Sequence, residues 1–269
     1  MTQQVCIITG ASDGIGAEMA RQLAAQHGAG ITLVLAARRA DALQQVAQAC
    51  VQHGSTVLCQ PCDVGIEADC RALIALCVKR FGRIDSLINN AGVSAQALLE
   101  QVDDLGWYQD LMRVNLWGSV WCTHAALPHL KASRGRIVAV SSLAGLVGVP
   151  GRTAYAASKF AMNGFFEALR VELLHTGVSV TLAYPGVVAT RIRYHGYNAQ
   201  GQPAGSSGLK EEQAMPVEQC AALILRGMAR RERDVVMTFK GKLGRWLKLL
   251  WPGLVDKMAL AALKDSVKP

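Results

Sequence analysis

The sequence predicts an α/β protein, a parallel doubly wound sheet of about seven strands with helices on both faces. Three observations lead there. Short runs rich in β-branched residues alternate with longer helix-period segments along most of the chain. The strand runs are almost continuously apolar, as strands covered on both faces are. Apolar residues make up 51% of the 269 positions, enough to bury both faces of such a sheet.

In chain order, the first strand covers 5–9 and the first helix 15–26. Strand 31–37 and helix 40–53 follow, then strand 56–62 and helix 67–81. Next come strand 84–89, a long helix over 105–130, strand 136–141 and helix 154–176. Strand 179–184, helix 216–229 and strand 234–238 complete the alternation. Residues 1–239 therefore read as one catalytic domain and 240–269 as a C-terminal extension. Segment 191–215 breaks the rhythm, being rich in Gly, Ser, Asn and Gln. A long loop at the ligand edge of a parallel sheet suits a substrate lid, a floppy insertion being the alternative.

Composition narrows the function. A charged fraction of 18% argues against disorder. The net charge of +8 is dispersed, and no nucleic-acid-binding motif accompanies it, so no nucleic-acid partner is expected; salt-sensitive DNA binding by the basic tail is the alternative. Residues 1–4 are polar and run directly into the apolar 5–8, unlike a secretory leader. The eight cysteines are accordingly expected to be reduced thiols in a cytoplasmic protein. Cys59 and Cys62 have CxxC spacing, but no second ligand pair follows, so no metal is expected. No apolar run is long enough to span a membrane.

The first strand leads into Thr9-Gly10-Ala11-Ser12-Asp13-Gly14-Ile15-Gly16. Glycines in a strand–turn–helix context let the backbone approach a pyrophosphate, which the free N–H groups of the helix then hold. Gly10, Ser12, Asp13, Gly14, Ile15 and Gly16 are the candidate contacts. The second strand ends at Ala37-Arg38-Arg39. An acidic residue there would bond the ribose hydroxyls of NAD(H); a guanidinium instead pairs with a 2′-phosphate. NADP(H) is therefore expected in preference to NAD(H), with Arg38 the main contact and Arg39 assisting. A surface helix-cap cluster is the competing reading of this pair.

Tyr155 and Lys159 are four apart in a helical stretch, hence on one face. A nearby ammonium favours the phenolate, bringing a phenol closer to useful proton transfer at neutral pH. Ser142 lies thirteen residues before Tyr155, at the end of the fifth strand, with Ser141 as its rival. Alternation along a strand turns the two to opposite faces. Asn115 is an amide inside an apolar helical stretch and needs partners if buried. His195, with Tyr194 and Tyr197 in the lid, is the remaining acid–base candidate.

Taken in order, the glycine turn, Asp63-Val64, Asn89-Asn90-Ala91-Gly92, Asn115, Ser142, Tyr155 to Lys159 and Pro185-Gly186 resemble the classical short-chain dehydrogenase/reductase family. The likeness covers about residues 3–238. It implies a Rossmann-type fold and hydride transfer between NADP(H) and a carbonyl or alcohol substrate. It also implies that Ser142 holds the substrate oxygen, Tyr155 exchanges its proton and Lys159 binds the nicotinamide ribose. Asn115 would hold a water that completes a proton relay. Asp63 and Val64 would meet the adenine, and Asn89, Ala91 and Gly92 the adenosine ribose. Pro185, Gly186, Val188 and Thr190 would lie against the nicotinamide. Asn90 suits a structural role. Asp13 departs from the basic residue that NADP-preferring relatives often carry. The family commonly forms dimers or tetramers through helices matching 105–130 and 154–176.

The apolar stretch 143–150 and the tail point to an apolar ketone or secondary alcohol, steroid-, retinoid- or lipid-like. A 3-oxoacyl thioester reductase or a sugar dehydrogenase of the same family, or a non-catalytic NADPH sensor, are the alternatives. The tail mixes Lys242, Arg245, Lys248 and Lys257 with Trp246, Trp251 and leucines, and breaks near Pro252-Gly253. Such a pattern over 240–263 suits peripheral membrane contact. It also suits packing on the cleft or on a partner subunit.

Overall fold

The computed structural model describes residues 3–205 and 214–266. Strands β1 (Gln4–Thr9), β2 (Ile31–Ala37), β3 (Thr56–Pro61), β4 (Ser86–Asn89), β5 (Arg136–Val140), β6 (Ser179–Tyr184) and β7 (Asp234–Val236) form one sheet. Its order is β3-β2-β1-β4-β5-β6-β7 and every pairing is parallel. Parallel neighbours require crossovers, and the crossover helices cover both faces. Helices α1 (Gly14–His27), α2 (Ala40–Val51) and α7 (Val217–Ala229) bury Met19, Leu23, Leu43, Val46 and Ile224 on one face. Helices α3 (Glu67–Phe81), α5 (Gly118–Ser133) and α6 (Thr153–Glu172) bury Leu73, Cys122, Ala126 and Phe166 on the other. Along β1, Cys6 and Ile8 face the first layer, Val5 and Ile7 the second. The strand order reverses between β1 and β4, which opens a crevice at their carboxyl ends.

Element boundaries differ from expectation where side chains replace the ladder. The fourth strand starts at Ser86 rather than 84. Before it, the Asp85 carboxylate accepts from Val5 N at 2.8 Å and pairs with Arg83 at 2.7 Å. The single helix expected over 105–130 is α4 (Gly106–Met112), a π turn over Arg113–Trp117, and then α5. The widened turn holds Asn115, whose side chain is committed to a neighbouring loop; π turns often mark such functional positions.

The expected lid begins with a short 3₁₀ turn, Arg191–Arg193, and is tied down as far as it is described. Tyr197 bridges to Ala95 and to Pro203, and its ring lies 5.4 Å from that of Trp107. Positions 206–213 of the lid lie outside the described residues.

The extension forms α8 (Phe239–Leu250) and α9 (Pro252–Ser266), parted at Trp251, with Pro252 opening α9 where its missing N–H is harmless. Helix α8 packs beside the loop that follows β5. Gly241 abuts Leu143, and Lys248 Nζ donates to Leu146 O at 2.9 Å. Arg245 pairs with Asp234 at 2.8 Å. Phe239, Trp246, Leu249 and Leu250 stay exposed. Among the described residues no helix is long and apolar enough to cross a membrane. The surfaces expected to join subunits carry exposed Trp117 and Val171.

Candidate active site

Helix α6 presents Tyr155 and Lys159, one turn apart and both buried, to the carboxyl end of β5. Lys159 Nζ donates to Val140 O at 3.0 Å. Ser142 leaves β5 in extended conformation; its Oγ accepts from Ala144 N at 3.2 Å and stands close enough to the Tyr155 phenol to help hold its pKa down. Ser141 points the other way, donating to Asn163 Oδ1 at 2.7 Å. Strand alternation thus separates the two serines.

Asn115 is fully buried. Its Oδ1 accepts from Val93 N at 2.7 Å, and its Nδ2 donates to Val93 O at 2.9 Å and Ser158 Oγ at 3.0 Å. Ser158 Oγ in turn donates to Tyr155 O at 2.8 Å. The amide therefore clamps the 93–94 loop to α6, and both its hydrogens are engaged by protein. A Cβ on Gly92 would stand 3.2 Å from Asn115 Oδ1 and 3.6 Å from Lys159 Nζ. A glycine is what keeps that space open.

Burial pushes the Tyr155 phenol above its ordinary pKa, opposed by the Ser142 hydrogen bond and by the guanidinium groups of Arg152 and Arg193. Burial pulls Lys159 down to about 8. The expected lowering of Tyr155 by the Lys159 ammonium is not what this arrangement provides. Lys159 Nζ is 5.8 Å from the ring centroid and bonded to Val140, while the opposing cations are Arg152 and Arg193. Sequence reading missed both arginines. Arg152 stands three residues before Tyr155, a signal that was available, whereas Arg193 arrives from the lid only in the folded chain.

At the other end of the crevice, Thr9 Oγ1 accepts from Asn90 N at 3.0 Å and Ala91 N at 3.1 Å. Asn90 Nδ2 donates to Thr9 O and Gly10 O at 3.0 and 3.2 Å, knitting β1 to β4. Gly10 (φ +65°) takes a left-handed turn, and a Cβ on Gly16 would overlap Gly10 O and Asn90 Nδ2. Asp13 Oδ1 caps α1 by accepting from Gly14 N at 2.8 Å, with Ser12 and Ile15 on either side of that turn. Thr190 closes over the turn, its Cγ2 3.2 Å from where a Gly14 Cβ would lie. Pro185 O accepts from Leu143 N at 3.0 Å, Gly186 adjoins Leu143 and Thr238, and Val188 is buried.

Asp13 also pairs with Arg191 at 3.3 Å and Arg39 at 3.8 Å. Its charge, which the sequence sets against a 2′-phosphate, thus lies between two cations, with Arg38 exposed nearby in the chain. Asp63 Oδ1 accepts from Gly65 N at 2.9 Å, and Val64 is buried against Gly118. Asn89 turns inward, Nδ2 donating to Thr123 Oγ1 at 2.9 Å. These residues fit a dinucleotide: a backbone cradle that side chains would fill, a helix N-terminus and a cationic end beyond β2.

His195 is exposed on the lid. All eight cysteines are free, and burial pushes Cys6 and Cys220 up to about 12. Among the described residues no group of three or more His, Cys, Asp or Glu side chains converges as metal ligands would.

The short chain dehydrogenase family model matches residues 4–200. An 11-beta-hydroxysteroid dehydrogenase A of Sesamum indicum is 37% identical over 259 residues, covering 94% of this chain and 73% of that protein. An 11-beta-hydroxysteroid dehydrogenase-like 4A of Arabidopsis thaliana is 38% identical over 253 residues, 94% of this chain and 82% of that one. Among solved structures, an alcohol dehydrogenase from the archaeon Thermococcus sibiricus complexed with 5-hydroxy-NADP aligns at a TM-score of 0.72 and 25% identity, covering 87% of this chain and 94% of that one.

Because the folded state disfavours the Lys159 ammonium, it releases that proton near pH 8, while the unfolded chain holds it to its ordinary 10.5. Between those values the unfolded state binds more protons, so stability rises with pH through this group. The cofactor-free protein should therefore gain stability relative to Lys159→Met between pH 8 and 10.5. Urea midpoints of both proteins across that window check it; parallel curves would sink it.

Proposed function

The chain belongs to the short-chain dehydrogenase family, and on that premise we propose that it is an NADP(H)-dependent oxidoreductase interconverting a ketone and a secondary alcohol at Tyr155. One observation carries this reading: a buried phenol with Ser142 close to it and buried Lys159 5.8 Å from its ring centroid, at the carboxyl edge of the sheet. When bound, the nicotinamide supplies or accepts the hydride. Ser142 Oγ orients the substrate oxygen. The Tyr155 O–H gives that oxygen a proton in reduction and takes one in oxidation. A phenol kept protonated at neutral pH is the acid that carbonyl reduction needs. Lys159 binds the nicotinamide ribose and, with a pKa near 8, exchanges protons behind Tyr155. Asn115 holds the loop and helix that frame this path.

Gly10, Ser12, Asp13, Gly14, Ile15 and Gly16 would hold the cofactor's pyrophosphate. Asp63, Val64, Asn89, Ala91 and Gly92 take the adenosine; Pro185, Gly186, Val188 and Thr190 take the nicotinamide. Arg38, assisted by Arg39, takes the 2′-phosphate. Pairing of Asp13 with Arg39 and Arg191 supports NADP(H), since it offsets the Asp13 carboxylate. A similar structure holding 5-hydroxy-NADP supports it as well.

An apolar, steroid-, retinoid- or lipid-like substrate body is supported by Leu143, Leu146 and α8 beside Ser142, and by the hydroxysteroid names of the relatives. The exposed Phe239, Trp246 and Leu250 of α8, next to exposed Lys240 and Lys242, support peripheral contact with an anionic membrane.

Three outcomes follow. Tyr155→Phe lowers kcat with NADPH by about 100- to 10,000-fold and leaves NADPH affinity, read by fluorescence titration, nearly unchanged. Arg38→Ala weakens NADPH about 10- to 100-fold but not NADH, and an equal loss for both refutes the 2′-phosphate contact. The protein sediments with phosphatidylserine vesicles and Trp246→Glu does not; equal sedimentation of the two removes the membrane reading.

A further inference from the structure

Arg152 is used neither by the cofactor site nor by the proton path, and its surroundings call for a ligand. It stands immediately before α6, without a side-chain cap bond. A cation there meets the positive end of the helix dipole, which disfavours it. Its guanidinium carbon lies 5.7 Å from the centroid of the Tyr155 ring. Nη1 donates to Ser94 Oγ at a long 3.4 Å. Nη2 is buried and has no hydrogen-bond partner. Among the described residues no carboxylate forms an ion pair with Arg152. Arg193, buried and donating to Val188 O at 3.2 Å, brings a second guanidinium close enough to affect both Arg152 and Tyr155. A half-buried guanidinium with one covered and unanswered donor is costly unless an acceptor arrives, and an anion answers it best.

We infer that Arg152 forms an anion subsite of the substrate pocket, so that the substrate is a keto acid or hydroxy acid whose carboxylate lies only a few bonds from the reacting carbon. This rests on the reading of Tyr155 as the proton donor, since the spacing is measured from it. Planar, two-pronged recognition by guanidinium suits a carboxylate. The apolar wall of Leu143, Leu146 and α8 takes the rest of the molecule, which narrows the lipid-like class of the proposed function to an amphipathic oxo acid. Arg152 is then a specificity residue and not a second proton donor.

The test compares 4-oxodecanoate with its methyl ester. Calorimetry on the NADP⁺-loaded enzyme gives the affinity of each, and NADPH oxidation gives kcat/KM. Wild type should bind the acid at least about 10-fold more tightly than the ester, as expected of a charge-assisted pair. In Arg152→Gln the preference should fall to within about 2-fold, at unchanged NADPH affinity. Arg152→Lys, which keeps the charge but loses the fork, should fall between them and serves if the glutamine variant does not fold. Equal affinities in wild type, no binding of the acid, or a preference that survives in both variants overturns the proposal. So does a shifted pH–rate profile common to acid and ester with their ratio unchanged, which would make Arg152 only a tuner of Tyr155. An acid preference in binding without NADPH oxidation of either compound leaves the subsite standing and refutes the oxidoreductase reading. Oxidation with both at equal affinity does the reverse.

Discussion

A lysine carried into the interior is the constraint to which the rest of the structure answers. Lys159 is almost fully buried, and an ammonium in such a place is costly unless it finds acceptors and space. Val140 O at the end of β5 is one acceptor. Gly92 lies beside the lysine, where a side chain would press on Asn115 Oδ1 at 3.2 Å and touch Nζ at 3.6 Å. Asn115 then holds the open loop by bonding Val93 on both its backbone groups and reaching Ser158 on the helix that carries the lysine. The π turn between α4 and α5 is the local form of this demand. It sets an amide against a loop that a regular helix would pass by.

The cofactor end is organised by close backbone approach and by charge. Thr9 and Asn90 stitch the ends of β1 and β4 together, which fixes the crevice at the reversal of strand order. Asp13 joins that turn to two distant segments, pairing with Arg39 before α2 and with Arg191 at the start of the lid. These pairs are partly exposed and individually weak. Their effect is on the local field rather than on stability: the carboxylate lies between two guanidinium groups.

On the substrate side, three segments remote in sequence meet around Ser142 and Tyr155. The loop after β5 supplies apolar groups, α8 lies against that loop, and the lid brings Arg193 toward the phenol already flanked by Arg152. The same phenol is therefore raised by burial and lowered by cations that do not belong to the Tyr–Lys pair. Its proton affinity is a property of the pocket as a whole.

Much of this was legible in the chain itself. Near-continuous apolar strands announced a sheet covered on both sides, because parallel strands need crossovers. The glycine turn, and the four-residue step from Tyr155 to Lys159, are backbone-level signals that survive any packing. Strand alternation turned Ser142 and Ser141 to opposite faces, and the thirteen-residue step to Tyr155, as in the family the chain resembles, favoured Ser142. The role of Arg193 has no signature in the chain, that of Arg152 only its place three residues before Tyr155, and those of Asn89 and Asn115 are legible only as positions. Their roles depend on which neighbour each side chain reaches: Asn89 reaches inward to Thr123, Asn115 reaches Val93, and Arg152 ends beside Tyr155 with an unmet donor. By itself the sequence determined the architecture and the turn-to-turn pairing of Tyr155 with Lys159, since periodicity and local spacing encode both. Only the tertiary structure decided the electrostatics around them. Charge and burial act through space, and the segments that supply them here lie tens of residues apart.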